Sequence, residues 1–306
     1  MNILVIGSGP IAIDYANVLN TLNVNYCIFQ RLSSNKIIPK NINVIKNNSL
    51  DNLELNDFTH IINCVDLENQ TKINLFLLQH SDAYILSEKP GFINQIDYLK
   101  SLKISHQIHN RFFIAYNRRF FESIIKLREL CKSDGGITSM HFDFTEWQKS
   151  VKETNISKKL KEKWAILNSS HVIDLAFYLC GKPDFIKTDI FSSLEWHPSA
   201  AIMKGYGVTN LGIPFSYSSD WSSAGRWEIQ IFTKKRKFIL SPLEKLKFVL
   251  KDTINIKEVS IFEEKIFKFG FFKQVQSFLY DNSKNIPNLL ESYELNKIIY
   301  KICGYD

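Results

Sequence analysis

At 306 residues the chain is long enough for two domains of roughly 150 residues each. At that size burial of about three quarters of the extended surface lets it fold without disulfides or a structural metal. A composition of 45% hydrophobic, 23% charged and 13% aromatic residues excludes a disordered chain, a collagen-like chain and a small disulfide scaffold. Its 38 Lys and Arg against 31 Asp and Glu leave +7, which permits phosphorylated metabolites, nucleotides or nucleic acid as partners without selecting among them.

Cys27, Cys64, Cys131, Cys180 and Cys303 form no CxxC pair and no His/Cys ligand cluster. Their odd number argues against a set of secreted disulfides, so reduced thiols, a cytoplasmic location and no metal site are expected. Met1 to Ile6 has no basic flank, and its apolar run stops at Gly7, too early for a secretory signal. The later apolar stretches, Ile73 to Leu78 and Val172 to Leu179, are far shorter than the ~20 residues that cross a bilayer, so no membrane span is expected.

Ile3 to Ile6 reads as a buried strand, Gly7-Ser8-Gly9-Pro10 as a turn, and Ile11, Tyr15, Val18 and Leu19 as the apolar face of a helix. Asn25 to Phe29, His60 to Val65, Tyr84 to Leu86 and Phe112 to Ala115 supply further strands. Their continuous apolar runs suit a parallel sheet covered on both faces. Residues 1–118 therefore form a βαβ-type domain. From 119 to 306 the pattern changes to a helix over Glu122 to Cys131, an extended stretch over Ile137 to Glu146, a lysine-rich tract over Lys149 to Lys163 and a buried helix over Val172 to Leu179. Strand-like pieces follow at Phe185 to Leu194, Ala201 to Val208, Phe215 to Ser219, Trp227 to Thr233, Lys237 to Leu240 and Leu246 to Leu250, before a last helix from about Leu289 to Ile302. Many strands with few helices between them predict an α+β domain with an open, predominantly antiparallel sheet.

Gly7-x-Gly9-x-x-Ala12 directly follows the first strand and opens a helix. Gly7 suits the tight turn, Gly9 leaves room for a pyrophosphate, and Ala12 lets the helix pack closely on the sheet. Pro10 and Ile11 begin the helix, whose N-terminus offers N–H groups and a favourable dipole to phosphate. The second strand ends in Gln30-Arg31-Leu32-Ser33-Ser34, where an Asp or Glu would read the ribose of NAD. Arg31 instead suits the 2′-phosphate of NADP, with Ser33 and Ser34 as added donors, so NADP is favoured over NAD.

Four further segments complete a pattern: Glu88-Lys89-Pro90 after the Tyr84 to Leu86 strand, Tyr116-Asn117-Arg118-Arg119-Phe120, His171-Val172-Ile173-Asp174, and Tyr178-Leu179-x-Gly181. With the glycine turn, and in this order, they make the sequence resemble the Gfo/Idh/MocA oxidoreductases over nearly its whole length. The resemblance implies a Rossmann domain followed by a substrate-binding and oligomerisation domain. It also implies a homo-dimer or homo-tetramer, and an NAD(P)-dependent reaction moving hydride to or from a sugar, sugar derivative or nucleotide-linked sugar. By the same resemblance Glu88 and Lys89 adjoin the nicotinamide, Lys89 polarises the reacting oxygen, and His171 carries its proton.

Asn117, Arg118, Arg119 and Asp174 become candidate substrate contacts, since asparagine suits a sugar hydroxyl and arginines a carboxylate or phosphate. Trp164, Trp221, Trp227 and Arg226 are candidates for a wall against a sugar ring. Where many members carry an aspartate four residues before the histidine and a glycine two before it, this chain has Leu167 and Ser169. Cys64-Val65 and Asn69 stand where a threonine-proline segment and a following histidine are usual. These departures sustain an alternative reading, a catalytically silent dinucleotide- or sugar-sensing protein of the same fold. The Thr233 to Phe238 segment is basic but matches no nucleic-acid motif, so no specific nucleic-acid partner is expected.

Overall fold

The computed structural model describes residues 1–104, 110–262 and 266–305, which divide into two compact units. The first comprises Met1–Asn117 with Glu264–Glu294, the second Arg118–Glu263 with Leu295–Asp306. The sequence reading placed all of 119–306 in the second domain. The difference is the segment around the helix Phe271–Tyr280. Phe271 packs its ring 4.5 Å from Tyr15, and the Ile114 amide donates to the Pro287 carbonyl (3.0 Å).

The first unit is built on a parallel sheet of β1 (Asn2–Ile6), β2 (Asn25–Arg31), β3 (Val44–Asn47), β4 (His60–Asn63), β5 (Tyr84–Ser87) and β6 (Phe112–Ile114), in the order β3-β2-β1-β4-β5-β6. β1 lies between β2 and β4, with Leu4 facing Cys27 on one side and Ile61 on the other. Both its faces are buried, which is why its sequence is an unbroken apolar run. The helices Pro10–Thr21, Leu67–His80 and Gln95–Ile104 are the crossovers. Chain order reverses at β1, so the carboxyl ends of β1 and β4 open on the crevice where ligands bind such sheets. β3 was not expected from the sequence. It is a short edge strand, half-exposed and carrying Lys46 and Asn47, so it lacks the apolar run that marks its neighbours.

The second unit carries an eight-stranded sheet of β7 (Ile137–Asp143), β8 (Pro183–Phe191), β9 (Ile202–Thr209), β10 (Pro214–Asp220), β11 (Glu228–Thr233), β12 (Arg236–Leu240), β13 (Leu246–Leu250) and β14 (Ile256–Glu258). Its order is β14-β13-β12-β11-β7-β10-β9-β8, antiparallel except where β7 and β10 run parallel. Phe142 of β7 sits in register with Ile229 on β11 and Tyr217 on β10, and its ring meets Phe177 of the helix Ser170–Cys180 edge-on at 5.6 Å. The alternate residues His141, Ser216 and Gln230 are half-exposed, giving the period-two pattern of a sheet with one covered face. The helix Glu122–Ser133 also belongs to this unit, and the lysine-rich tract forms the short helices Gln148–Glu153 and Lys158–Lys161. The chain ends in the helix Leu289–Cys303, within which the division between the units falls.

The fold class read from the sequence is the one observed. No described helix is long and apolar enough to cross a membrane.

Candidate functional site

A cleft of about 670 Å³ opens at the carboxyl ends of β1, β2 and β4, lined by the Gly7-Ser8-Gly9-Pro10-Ile11 turn, Arg31 and Cys64 among others. The turn follows from its residues. Gly7 has φ +130°, and a Cβ there would stand 2.8 Å from the Cys64 carbonyl oxygen, so both the conformation and the approach of β4 require glycine. A Cβ at Gly9 would meet only the Lys36 ammonium, at 3.4 Å, and therefore faces open cleft. Pro10 starts the helix Pro10–Thr21, and no side chain caps its N-terminus, which leaves that end to a ligand. Ala12 is fully buried under the helix and packs it on the sheet rather than lining the cleft.

At the tip of β2, Arg31 is exposed and lines the cleft with Ser34 and Lys36. The loop is pinned from below. The buried Gln30 amide donates to the Lys36 carbonyl (2.6 Å), and the Ser34 and Ser8 hydroxyls are hydrogen-bonded at 3.2 Å. Ser33 is exposed but does not line the cleft; Ser34 takes the place expected for it. Lys36 was missed because it lies five residues beyond the strand end, and hydrogen bonds to Gln30 and Ser34 fold it back. Together Arg31, Lys36 and two hydroxyls form a donor group suited to a phosphate, and the Gly9 opening suits a pyrophosphate. The cleft thus fits a dinucleotide.

Cys64 packs under Gly7, its thiol donating to the Ile6 carbonyl (3.4 Å), and burial drives it far above the usual thiol range. It is a spacer, not a nucleophile. Asp66 caps the helix Leu67–His80 by accepting from the Asn69 amide (3.1 Å) and also holds the Asn69 side chain (2.8 Å). Glu88, at the end of β5, accepts from the Tyr15 hydroxyl (2.7 Å), and its backbone carbonyl accepts from the Gln70 side chain. Burial raises the Glu88 carboxyl above its ordinary value, while the Tyr15 hydrogen bond and the Lys89 and Lys268 charges oppose that rise. The adjoining Lys89 is half-buried, and its bond to Pro90 is cis. Asn117 donates one side-chain N–H to the Phe269 carbonyl (3.0 Å).

In the second unit the structure separates the two arginines of the Asn-Arg-Arg segment. Arg119 grips Asp174 with two parallel hydrogen bonds, Nε to Oδ2 at 2.8 Å and Nη2 to Oδ1 at 2.5 Å. These two expected substrate contacts pair with one another, as a buried carboxylate beside a guanidinium fork does. Arg118 makes no such pair; its guanidinium stands 5.0 Å from the Trp227 ring. His171 is buried in the first turn of the helix Ser170–Cys180, 6.3 Å ring to ring from Trp227. Neither Asn168 nor Ser169 caps that helix with its side chain. A π turn, Ala165–Ser169, runs straight into it, and both side chains turn instead to Glu146.

Glu146 is the main residue that sequence reasoning passed over. It is buried and accepts from Ser169 Oγ (2.7 Å), Asn168 Nδ2 (3.0 Å), Arg226 Nη1 (2.7 Å) and Trp227 Nε1 (3.1 Å). The available signal was an acidic residue closing the apolar alternation Met140, Phe142, Phe144. Trp221 is fully buried, stacks on Trp196 at 5.3 Å and donates to the Phe144 carbonyl, so it belongs to the core and not to a substrate wall. Trp164 is half-buried, with its indole nitrogen sealed from water and without a hydrogen-bond partner among the described residues. Among the described residues no cluster of three or more His, Cys, Asp or Glu could hold a metal ion.

No family model matches the sequence, and no curated protein matches it. Solved structures do match, along their whole length. UDP-N-acetylglucosamine 3-dehydrogenase GnnA from Acidithiobacillus ferrooxidans superposes with a TM-score of 0.71 at 12% identity, covering 100% of this chain and 97% of that one. Levoglucosan dehydrogenase in complex with NADH gives 0.76 at 12% identity, covering 100% and 96%. An oxidoreductase from Agrobacterium radiobacter in complex with NAD+, L-tartaric acid and magnesium gives 0.74 at 10% identity, covering 100% and 96%. At these identities the likeness is one of fold, and it is the two-domain fold that the Gfo/Idh/MocA resemblance implies.

Proposed function

We propose that the chain is an NADP- or NAD-dependent oxidoreductase acting on a secondary hydroxyl, or the corresponding ketone, of a sugar or sugar derivative. The observation that carries this reading is the cleft at the switch point of the parallel sheet, with its glycine turn and, beside it, Arg31, Ser34 and Lys36. The fold shared with the sugar dehydrogenases supports it. A bound nicotinamide supplies or accepts the hydride. The chain's own residues do the rest. The turn from Gly7 to Ile11 seats the pyrophosphate, and Arg31 with Lys36 favours the 2′-phosphate. Lys89 donates to the reacting oxygen and stabilises charge on it, and His171 takes or returns the proton. Arg119 and Asp174 serve the scaffold in this reading. An open sheet with one uncovered face also supports self-association.

The silent alternative draws on two observations: Leu167 is core, and the Asn69 amide is tied to Asp66. One experiment separates the readings. NADPH and NADH are titrated into the protein, and hydride transfer is then followed by stopped flow with a panel of sugars. NADPH should bind more tightly. Arg31→Glu should lose about 10- to 100-fold of that affinity, the worth of a charge-assisted contact. Lys89→Ala should bind cofactor normally yet transfer hydride at least about 100-fold more slowly. Tight cofactor binding with no transfer to any sugar or ketose would favour the silent reading, and equal or better NADH binding would remove the NADP assignment.

A further inference from the structure

The second unit contains five arginines, Arg118, Arg119, Arg128, Arg226 and Arg236. Four have side-chain partners: Arg119 has Asp174, Arg226 has Glu146 at 2.7 Å, Arg236 has Asp134 at 2.6 Å, and Arg128 donates to the Tyr178 hydroxyl. The Arg118 side chain has neither an ion pair nor a hydrogen bond among the described residues, and its Nε is sealed from water without a partner. Its guanidinium lies 5.0 Å from the centre of the Trp227 ring and 6.0 Å from that of Phe121. Trp227 is held by its indole nitrogen on Glu146, and Arg226 lies 4.4 Å from the same ring. Two guanidiniums therefore share one immobilised indole, and among the described residues the only carboxylate in hydrogen-bond contact with the group, Glu146, is paired with Arg226. Glu244 and Glu146 favour the Arg118 charge from beyond ion-pair distance and Arg226 opposes it, while burial lowers the Arg118 pKa to about 10.

A guanidinium remains charged even there, and a desolvated cation without a counter-ion costs stability. Such a group persists where a ligand completes it. We propose that Arg118, positioned against Trp227, is an anion subsite that receives a carboxylate or phosphoryl group of the substrate, so that the sugar this chain acts on is an acidic one. The planar fork matches two oxygens of either group, whereas a neutral hydroxyl would satisfy only one donor and leave the charge uncompensated. This inference rests on the sugar-oxidoreductase reading for the identity of the ligand, but not for the existence of the subsite.

The test is equilibrium binding, which needs no turnover. D-glucuronate, D-glucose 6-phosphate and D-glucose are titrated calorimetrically into the protein in saturating NADPH, with NADPH affinity measured separately. At least one of the two anions should bind roughly tenfold or more tightly than glucose, and the better arm identifies the source of the charge. Arg118→Gln should bring that ratio to near unity and keep or raise the Tm, since it removes a half-buried cation that has no ion-pair partner among the described residues. Anions no tighter than glucose, or an unchanged ratio in Arg118→Gln, would overturn the proposal. A Tm lowered by more than about 5 °C with the ratio intact would do so too, by assigning Arg118 to the scaffold. Should Arg118→Gln fold poorly, Arg118→Lys keeps the charge and removes the fork; full discrimination in that variant would also overturn it. Failure of NADPH to bind would defeat the dinucleotide reading while leaving the anion comparison intact.

Discussion

Replacing Glu146 with alanine tests the heart of the second unit. Four donors converge on this carboxylate, and they differ in what happens when it is removed. Ser169 is fully buried and Trp227 is 6% exposed, so the hydroxyl and the indole N–H would be left without acceptor or water. An orphaned buried donor costs about 1–3 kcal/mol, so these two give about 2–6 kcal/mol. Asn168 is half-buried and the Arg226 side chain is 39% exposed, so both re-solvate at small further cost. We expect Glu146→Ala to lose about 4 kcal/mol, a large share of the ~5–15 kcal/mol that holds a typical domain folded. Glu146→Gln keeps one acceptor oxygen but turns an NH2 toward the donors, and should lose about half as much. The assay is urea unfolding followed by tryptophan fluorescence. Trp147, Trp164, Trp196, Trp221 and Trp227 all lie in the second unit, so the signal reports that unit alone. A loss below about 1 kcal/mol in Glu146→Ala would refute the reasoning, because it would mean that the donors find other partners.

Gly7→Ala places a Cβ against the Cys64 carbonyl at a φ that favours glycine; dichroism-detected melting should show a loss of about 1–3 kcal/mol, and fluorescence titration a weakened NADPH complex. His197 is fully buried, its ring nitrogens hydrogen-bonded to the Ala200 carbonyl and the Tyr305 hydroxyl, and burial lowers its pKa from 6.5 to about 4. Because the unfolded chain takes the proton first, stability is intact above pH 6.5 and should fall by about 3 kcal/mol between pH 6.5 and 4. His141 is lowered in the same direction and adds to the slope, and tryptophan-detected unfolding that is flat over this window would refute the assignment. His60, also lowered to about 4, sits in the first unit and should produce the parallel acid sensitivity in a probe confined to that unit.

The parts of the fold legible in the sequence are those where one physical demand dominates. β1, β2 and β4 are apolar throughout because both faces are covered, and β7 and β10 alternate because one is not. β3 escaped because an edge strand has no such demand, and the helix Phe271–Tyr280 because its apolar face is spent on a helix some 250 residues earlier in the chain, a partner no local window contains. The glycine turn was legible because Gly7 and Gly9 answer to backbone geometry. Lys36 was not, because its place in the cleft depends on a side-chain hydrogen bond from the buried Gln30, which no periodic pattern encodes.

The pairing of Arg119 with Asp174 could not be foreseen either. Fifty-five residues separate them, and the sequence offers two adjacent arginines of equal chemistry. Only the fold decides which of them reaches the carboxylate and which is left to Trp227.

The departures at 167 and 169 then become a single structural change. Read as isolated departures from the Gfo/Idh/MocA pattern, Leu167 stands in place of a carboxylate and Ser169 adds a small side chain where that pattern has none. In the structure Leu167 is buried in the core, while the Ser169 hydroxyl, which a glycine could not provide, donates to Glu146. Asn168 does the same from the next position along the π turn. The chain thus carries a buried carboxylate next to the start of the His171 helix after all, supplied by the end of the β7 segment. That carboxylate fixes the Trp227 indole, whose ring stands 6.3 Å from His171 and 5.0 Å from the Arg118 guanidinium. A carboxylate carried on the His171 helix would move with that helix, whereas Glu146 ties the π turn to the tryptophan that precedes β11. Loss of the usual aspartate is therefore not by itself an argument for a silent protein: its replacement builds the wall against which Arg118 is displayed.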